Sequence, residues 1–427
     1  MINQTQRRYS RWYEVVLLNN LFLFLLGFTV VVVCPAYYRW GDGILQWPLQ
    51  QVSLNTLLAN GIAYTTSYIF LRKLKNYPGT RSLPFIIPTV LMTWLAVFSL
   101  MLFLRESDYS RTVLAYSVAI AITWSFLGYF LARRFRQPKL AVVPFGRALE
   151  LADIDNAIIV MLAEPTLERR RFDGVVADLH AKDLPAEWQR FLAACTLARI
   201  PVFHSQQVME SLTGRVKITH LSENIFGELL PSSMYSYLKR FMDILLVLLT
   251  APVWLPVMLI TGFIIKLESD GPMFFIQDRV GQGSKDFKVY KLRSMCKDSE
   301  KDGAQFACEN DARITRVGKF IRKTRIDEIP QFINVLKGDM SIIGPRPEQR
   351  VFVDQFAEEI PFYSYRHVVK PGITGWAQVV HGYAADAEDT CVKIEHDFYY
   401  IKNFSLWLDI LITVKTIRTI LTGFGAR

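Results

Sequence analysis

The chain has no CxxC pair, and its five cysteines, Cys34, Cys195, Cys296, Cys308 and Cys391, are odd in number and scattered. That pattern argues against a disulfide framework or a cysteine-ligated zinc site and fits reduced thiols in a reducing compartment. No G-x-G-x-x-G follows the first strand-like run, so the fingerprint of a dinucleotide site is missing. Several long stretches carry no charged residue at all, which a soluble globular chain rarely tolerates. Apolar residues make up 51% of the 427 positions, and mean hydropathy is +0.20. Acidic charge is in short supply, 39 Asp and Glu against 49 Lys and Arg, a net +10. The excess points to an anionic partner, and the membrane-length apolar segments favour a membrane or a phosphorylated substrate over nucleic acid.

Residues 1–140 read as four membrane spans. Val15–Cys34 is uncharged over about the 20 residues a spanning helix needs, and it lacks a signal-peptide cleavage site. A weaker candidate covers 49–71, and stronger ones cover Leu83–Leu104 and Thr112–Ala132. Arg7, Arg8 and Arg11 precede the first span, Arg72, Lys73, Lys75 and Arg81 separate the second and third, and Arg133, Arg134, Arg136 and Lys139 follow the fourth. The loops around Arg39 and Arg105 are nearly neutral, so the charge rule puts both ends of this bundle in the cytoplasm.

Residues 141–230 change character. Ala141–Gly146, Ala157–Leu162, Gly174–Leu179 and Ile200–His204 read as short buried strands, with a helical pattern near Glu187–Arg199. Strands alternating with helices predict a small, Rossmann-like parallel α/β module. Without the glycine fingerprint, a structural or dimerising role is the expectation. His180, His204 and His220 are not at ligand spacing and read as ordinary core or surface histidines.

Residues 235–427 hold the chemistry. Ile244–Ile265 is again uncharged, but Pro252 and Pro256 interrupt it, and Lys239, Arg240 and Lys266 flank both ends. Crossing here would carry everything downstream out of the cytoplasm, against the charge rule. The expectation is a helix–break–helix hairpin, a re-entrant helix over 244–265 that dips in and returns to the same face, with a bent fifth span as its rival. Beyond it, alternation through Phe287–Met295 puts Lys291 and Arg293 on one face, a two-cation clamp suited to phosphate. Asp327 and Glu328 follow the cations Arg313, Arg316, Lys319, Arg322, Lys323 and Arg325. Ile329, Phe332, Ile333 and Leu336 then keep helical spacing as far as Lys337-Gly338. Asp327 is thus expected where a helix begins, with Pro330 in its first turn, either as a reactive or anion-binding group or simply as an N-cap. Pro345 and Pro347 fix the backbone of Arg346 between them, and Pro371–Gln378 is a turn-rich loop with polar groups beside Trp376. Leu406–Leu421 reads as an interfacial amphipathic helix, with a core-facing helix as its rival.

Clustered cations, a carboxylate pair and a shallow membrane anchor suit the movement of a phosphorylated group from a soluble diphosphate donor to a lipid acceptor. Phe274–Arg279, Tyr290–Met295, Thr324–Gln331, Gly338–Glu348 and Lys370–Gln378 together resemble the bacterial sugar transferase family. Its members are monotopic polyprenyl-phosphate hexose-1-phosphate transferases of exopolysaccharide and O-antigen synthesis. The resemblance covers residues 235–427, and the four spans plus an α/β module ahead of it look like the family's large branch. It implies an α+β catalytic domain on the cytoplasmic face of a bacterial inner membrane, with the re-entrant hairpin. It also implies a ping-pong reaction in which Asp327 attacks a UDP-sugar, releases UMP and passes the phosphosugar to undecaprenyl phosphate. Glu328 would help hold Mg²⁺. Arg346 would hold donor phosphate or uridine, Lys291, Arg293, Arg322 and Arg325 would neutralise phosphate, and Gln378 would contact substrate. Glucose and galactose are the favoured sugars, and a homodimer through the α/β module is expected.

Two departures from the family pattern stand out. The usual Ser-Pro at the hairpin break is Ala251-Pro252, with the Thr250 hydroxyl one residue earlier to recapture a freed carbonyl. An Asn-containing loop usually follows Gln378, where this chain reads Val379-Val380-His381-Gly382, which leaves sugar preference open. Two other readings compete: a glycosyltransferase releasing UDP, and a non-enzymatic scaffold of polysaccharide machinery. Adjacent residues cannot by themselves flank a glycosidic bond at a carboxylate separation of about 5–10 Å, which disfavours the first.

Overall fold

Asn19 sets the start of the first membrane helix. Its side chain accepts the Leu21 N–H at 2.8 Å, an N-cap that moves the helix to Asn20–Ile44 (α1), several residues later than the apolar run alone suggests. The computed structural model describes residues 6–8, 11–17, 19–44, 49–74, 77–78, 86–104, 108–135, 138–154, 157–168, 170–218, 230–296, 313–381 and 387–422. Lys75, Arg81, Arg105, Arg136, His220, Cys308 and Gly382 lie outside them. The chain divides into two compact units, Met1–Gly214 and Arg215–Arg427.

In the first unit α1 is joined by Gln51–Leu74 (α2), Ile86–Phe103 (α3) and Arg111–Phe135 (α4). Among the described residues, α1, α3 and α4 are long and apolar enough to cross a membrane. The second expected span forms as α2 but falls short of that standard, because it carries polar residues such as Thr56 and Asn60; these point inward. Asn60 is buried and accepts the Trp94 indole N–H at 3.1 Å, and Thr56, also buried, accepts the Ser110 N–H at 2.9 Å. Leu58, Ile62 and Ile69 face outward instead. A helix that hides its polar groups and shows leucine and isoleucine to its surroundings suits lipid.

The α/β part follows the sequence reading closely. Strands Lys139–Val142 (β1), Ile158–Met161 (β2), Gly174–Ala177 (β3) and Val202–His204 (β4) form one parallel sheet in the order β2-β1-β3-β4. Helices Ala186–Leu197 (α5) and Ser205–Thr213 (α6) cover its two faces. Ala141, Val175 and Ala177 pack with Trp188, Phe191 and Cys195, while Leu140, Val142 and Val176 pack with Val208, Met209 and Leu212. Burial on both faces explains why the strands read as unbroken apolar runs. The segment ahead of α1 is stapled to this sheet through Arg8–Asp173 at 3.0 Å and Arg171–Glu14 at 2.7 Å.

The second unit opens with Ser233–Glu268 (α7), also long and apolar enough to cross a membrane. Where a helix–break–helix hairpin was expected, the structure has one helix that continues through Pro252 and Pro256. Thr250 Oγ1 donates to the Leu246 carbonyl at 2.7 Å and Trp254 Nε1 to that of Val247 at 2.9 Å, one turn ahead of Pro252. Val247, Trp254, Met258 and Ile265 line one stripe of α7 and pack on Val289, Leu292, Ile321, Val335 and Met340. The antiparallel pair Phe274–Val280 (β5) and Asp286–Leu292 (β6) follows, then Arg316–Lys323 (α8), Gln331–Lys337 (α9) and Ser341–Ile343 (β7). Arg350–Glu359 (α10), Gly372–Thr374 (β8, parallel to β7), Trp376–Val380 (α11), Ala387–Lys402 (α12) and Leu406–Thr422 (α13) complete the unit. The first half of α13 is core-facing, with Leu408, Leu411 and Ile412 buried, while Ile417 and Ile420 are exposed in its second half.

Candidate active site

Arg325 adopts φ +56° and ψ +21°, the left-handed region in which a residue with a side chain is strained. This kink ends the path of α8 and starts a 3₁₀ turn, Ile326–Glu328, that turns both carboxylates inward. The expectation of Asp327 at the start of the following helix is corrected here. The acidic pair sits on its own turn, and Pro330 caps α9, which runs from Gln331 and closes at Gly338 with φ +96°. Arg240 donates to the carbonyls of Val335 and Leu336 at the end of α9 and ties it to α7.

Asp327 and Glu328 are both buried, yet their surroundings pull them apart. Arg346 donates to Glu328 Oε1 at 2.8 Å, Lys291 Nζ lies 3.8 Å from the same oxygen, and Arg325 lies 3.7 Å from Oε2. Burial alone would raise Glu328, but Arg346, Lys291 and Arg325 outweigh it and hold the carboxyl at about 2. Asp327 gets less compensation. Burial, then the neighbouring Glu328 charge, push it up to about 6, against the pull of Lys291, Arg322 and Arg346. Lys291 is lowered to about 8, first by burial and then by Arg346. Two adjacent carboxylates with separated affinities for protons have divided roles: one is a fixed anion, the other a group whose charge is available near neutral pH.

The Pro345-Arg346-Pro347 loop is held from behind. Arg366 is buried and its Nη2 donates to the Arg346 carbonyl at 2.9 Å and to Asp397 at 2.8 Å, with Nη1 on the Tyr363 hydroxyl at 2.9 Å. Glu348 is gripped by Lys393 at 2.7 Å and Arg279 at 3.4 Å. Burial would raise its pKa, but Lys393, Arg366 and Arg279 hold it at about 2. Arg279, Glu348, Arg366, Lys393 and Asp397 were not singled out as site residues from sequence. The loop prolines pointed only to a rigid Arg346, and its anchors come from three distant elements.

Of the residues expected at the site, Asp327, Glu328, Lys291, Arg325 and Arg346 come together, and Arg322 acts on Asp327 while its Nε donates to Ser294 Oγ at 2.9 Å. Arg293 does not share the phosphate clamp. Its guanidinium is spent on the end of α7, on the Ser269 and Asp270 carbonyls at 2.7 and 2.6 Å and on Ser269 Oγ at 2.9 Å. The reason is the α7 terminus, whose last carbonyls lack helical partners and face β6. Arg293→Ala is expected to lower stability by about 2–3 kcal/mol, read by denaturation in detergent, and to leave the pH profile of catalysis unmoved. Gln378 lies on α11 with Oε1 buried and without a hydrogen bond among the described residues. Of the four residues after it, Val379, Val380 and His381 are described and Gly382 is not. In the first unit, His180 and His204 are neighbours after all: His180 Nδ1 is 2.9 Å from His204 Nε2. Spacing along the chain hid this, because the crossover through α5 brings β4 back beside β3.

A model of the bacterial sugar transferase family matches residues 234–423. The UDP-N-acetylgalactosamine-undecaprenyl-phosphate N-acetylgalactosaminephosphotransferase of Aeromonas hydrophila is 56% identical over 422 residues, 99% of this chain and 99% of that protein. UDP-glucose:undecaprenyl-phosphate glucose-1-phosphate transferases of Caulobacter vibrioides and Escherichia coli are 40% and 44% identical over 203 and 191 residues. Those matches cover 47% and 44% of this chain, and 76% and 40% of the respective relatives.

Proposed function

The chain belongs to the bacterial sugar transferase family, and from that membership we propose that it moves a sugar-1-phosphate from a UDP-sugar to undecaprenyl phosphate, releasing UMP. The observation that carries this reading is the buried acidic pair under Arg346, Lys291 and Arg325, with Asp327 alone poised to change charge near neutrality. An Asp327 oxygen attacks the sugar-proximal phosphorus, the bond to UMP breaks, and an aspartyl-phosphosugar forms. The phosphate of undecaprenyl phosphate then attacks the same phosphorus, frees Asp327 and leaves undecaprenyl-diphospho-sugar. Arg346, Lys291, Arg322 and Arg325 balance the phosphate charge while these bonds exchange.

Mg²⁺ fits the donor set: Glu328 is ionised, its Oε1 is engaged by Arg346, and its Oε2 has a longer contact, 3.7 Å to Arg325. Bound there with donor phosphate oxygens, the ion would screen diphosphate charge. For the donor, N-acetylgalactosamine now stands ahead of glucose and galactose, supported by the relative that matches along its whole length.

We read α7 as re-entrant and the catalytic unit as cytoplasmic. Both ends of α7 are bonded to the same compact unit, Lys239 to Asp409 at 2.6 Å, Asp243 to Ser341 at 2.7 Å, and Glu268 to the Val317 N–H at 3.0 Å. Between those ends the stripe Val247, Trp254, Met258 and Ile265 packs on the same unit, contacts that hydrocarbon would replace in a crossing helix. The α/β sheet is read as a Rossmann-like cytoplasmic module that would pair two copies of a bacterial inner-membrane protein.

The test uses purified protein in nanodiscs with undecaprenyl phosphate, Mg²⁺ and a panel of UDP-sugars. UMP released from UDP-N-acetylgalactosamine supports the whole reading. UDP release would replace it with glycosyl transfer, and silence across the panel would leave the scaffold. The pH dependence of kcat/KM is expected to be bell-shaped. It falls about tenfold per unit well below pH 6 as Asp327 gains its proton, and falls again above about pH 8 as Lys291 loses its charge.

A further inference from the structure

Asp178 directly follows the last residue of β3, and His204 is the last residue of β4, so both stand at the carboxyl end of a parallel sheet. Ligands of open α/β sheets gather at this end, where the strand order reverses, here between β1 and β3. Asp178 sits beside that point and accepts the Arg147 N–H at 3.0 Å from the loop after β1 and the His180 N–H at 3.1 Å from its own loop. Gly146, at φ +56°, lets the first loop approach so closely that a Cβ there would strike Asp178 Oδ2. The carboxylate is therefore fixed before any ligand arrives.

Two imidazoles meet it. His204 Nε2 lies 2.9 Å from His180 Nδ1 and 3.6 Å from Asp178 Oδ1, and all three atoms fall within 4.8 Å of one another. A tetrahedral ion with bonds of about 2.0–2.1 Å sets its ligand atoms about 3.3 Å apart, and the two shorter separations bracket that value. Asp178 is buried, His204 half-buried and His180 exposed, so one side of the cluster opens to solvent. Two imidazoles and one carboxylate suit zinc and its neighbours better than Mg²⁺ or Ca²⁺.

We propose that Asp178, His180 and His204 form a divalent transition-metal site of the zinc class on the α/β module, with one position open to water or an anionic ligand. The site is separate from the Mg²⁺ chemistry of the catalytic unit. Two hydrogen bonds oppose it: His204 Nδ1 accepts the Gln206 N–H at 3.2 Å, which keeps the ring proton on Nε2, and Nε2 then donates to His180 Nδ1 at 2.9 Å. Binding moves that proton to Nδ1 and gives up both bonds, at a cost of about ten- to a hundredfold in affinity. Three metal–ligand bonds replace two hydrogen bonds, and Asp178 is already fixed by two backbone N–H groups.

Chelator-stripped full-length protein without a histidine tag, in nanodiscs, is titrated with Co²⁺, whose visible absorption reports tetrahedral coordination, and then with Zn²⁺. One Co²⁺ per chain is expected, displaced by one Zn²⁺, with affinity weakened about 100-fold or more by His180→Ala and by His204→Ala. UMP release with Mg²⁺ should persist in His180→Ala, an exposed position outside the catalytic unit. His204 also caps α6, so His180→Ala decides the matter if the other variant misfolds. Absence of a tetrahedral band at about millimolar Co²⁺, or a band unchanged by His180→Ala, overturns the proposal.

Discussion

Asp327→Asn is expected to reduce UMP release by at least about 10⁴-fold, some 5.5 kcal/mol of lost transition-state stabilisation. The substitution keeps shape and burial but removes the oxygen that becomes bonded to phosphorus, so binding survives while the first bond exchange stops. Donor affinity should change little, because Glu328 and its cations remain in place. The sign of the pH effect follows from the same residue. Its carboxyl is raised to about 6 by burial and by Glu328, so it is mostly ionised at neutral pH and gains its proton as pH falls below that value. Incubation with labelled donor and no lipid should leave label on the wild-type protein and none on Asp327→Asn. Label retained by the variant would move the nucleophile elsewhere.

How much of this was legible beforehand depends on the distance over which each feature is decided. The four strands of the α/β sheet were, since burial on both faces leaves apolar runs such as Ala141–Val143 and Gly174–Ala177 between turn signals. The Gly338 end of α9 was also legible, a local matter of one left-handed residue. Arg325 was not: nothing in Thr324-Arg325-Ile326 announces a positive φ, and the strain is sustained by the packed surroundings of the turn. Nor was the fate of Arg293. Alternation predicted a shared face with Lys291, but which acceptor a guanidinium finds is a tertiary question, settled by the Ser269 and Asp270 carbonyls just after α7. Polar residues weakened the membrane signal of α2, and the sequence could not show that one of them, Asn60, is matched by a tryptophan on another helix. The acidic pair was visible as a pair, but the separation of its members came from Lys291 and Arg346, one on β6 and the other in the loop after β7.

Asp397→Ala is expected to destabilise the catalytic unit by about 3–5 kcal/mol, because it leaves the Arg366 cation buried without its counter-ion. Arg366 is 2% and Asp397 1% exposed, so water cannot substitute for the missing carboxylate. A loss of that size is a large share of a typical domain's stability of about 5–15 kcal/mol, and it should show as a lower denaturation midpoint in detergent. Stability is not the pair's main service, however. The same Arg366 Nη2 that meets Asp397 also donates to the Arg346 carbonyl, so the buried pair is the peg on which the Pro-Arg-Pro loop hangs. Replacing both partners separates the two roles. A buried ion pair exchanged for apolar residues of similar volume is often neutral or stabilising, so Arg366→Met with Asp397→Leu should regain most of the lost midpoint. Catalysis should not return with it, because the Arg346 backbone stays untethered and its guanidinium no longer holds the 2.8 Å contact with Glu328. With less compensation from Arg346, Glu328 titrates higher, and the acid side of the pH profile changes shape. A double variant that recovers both stability and UMP release would reduce the pair to packing.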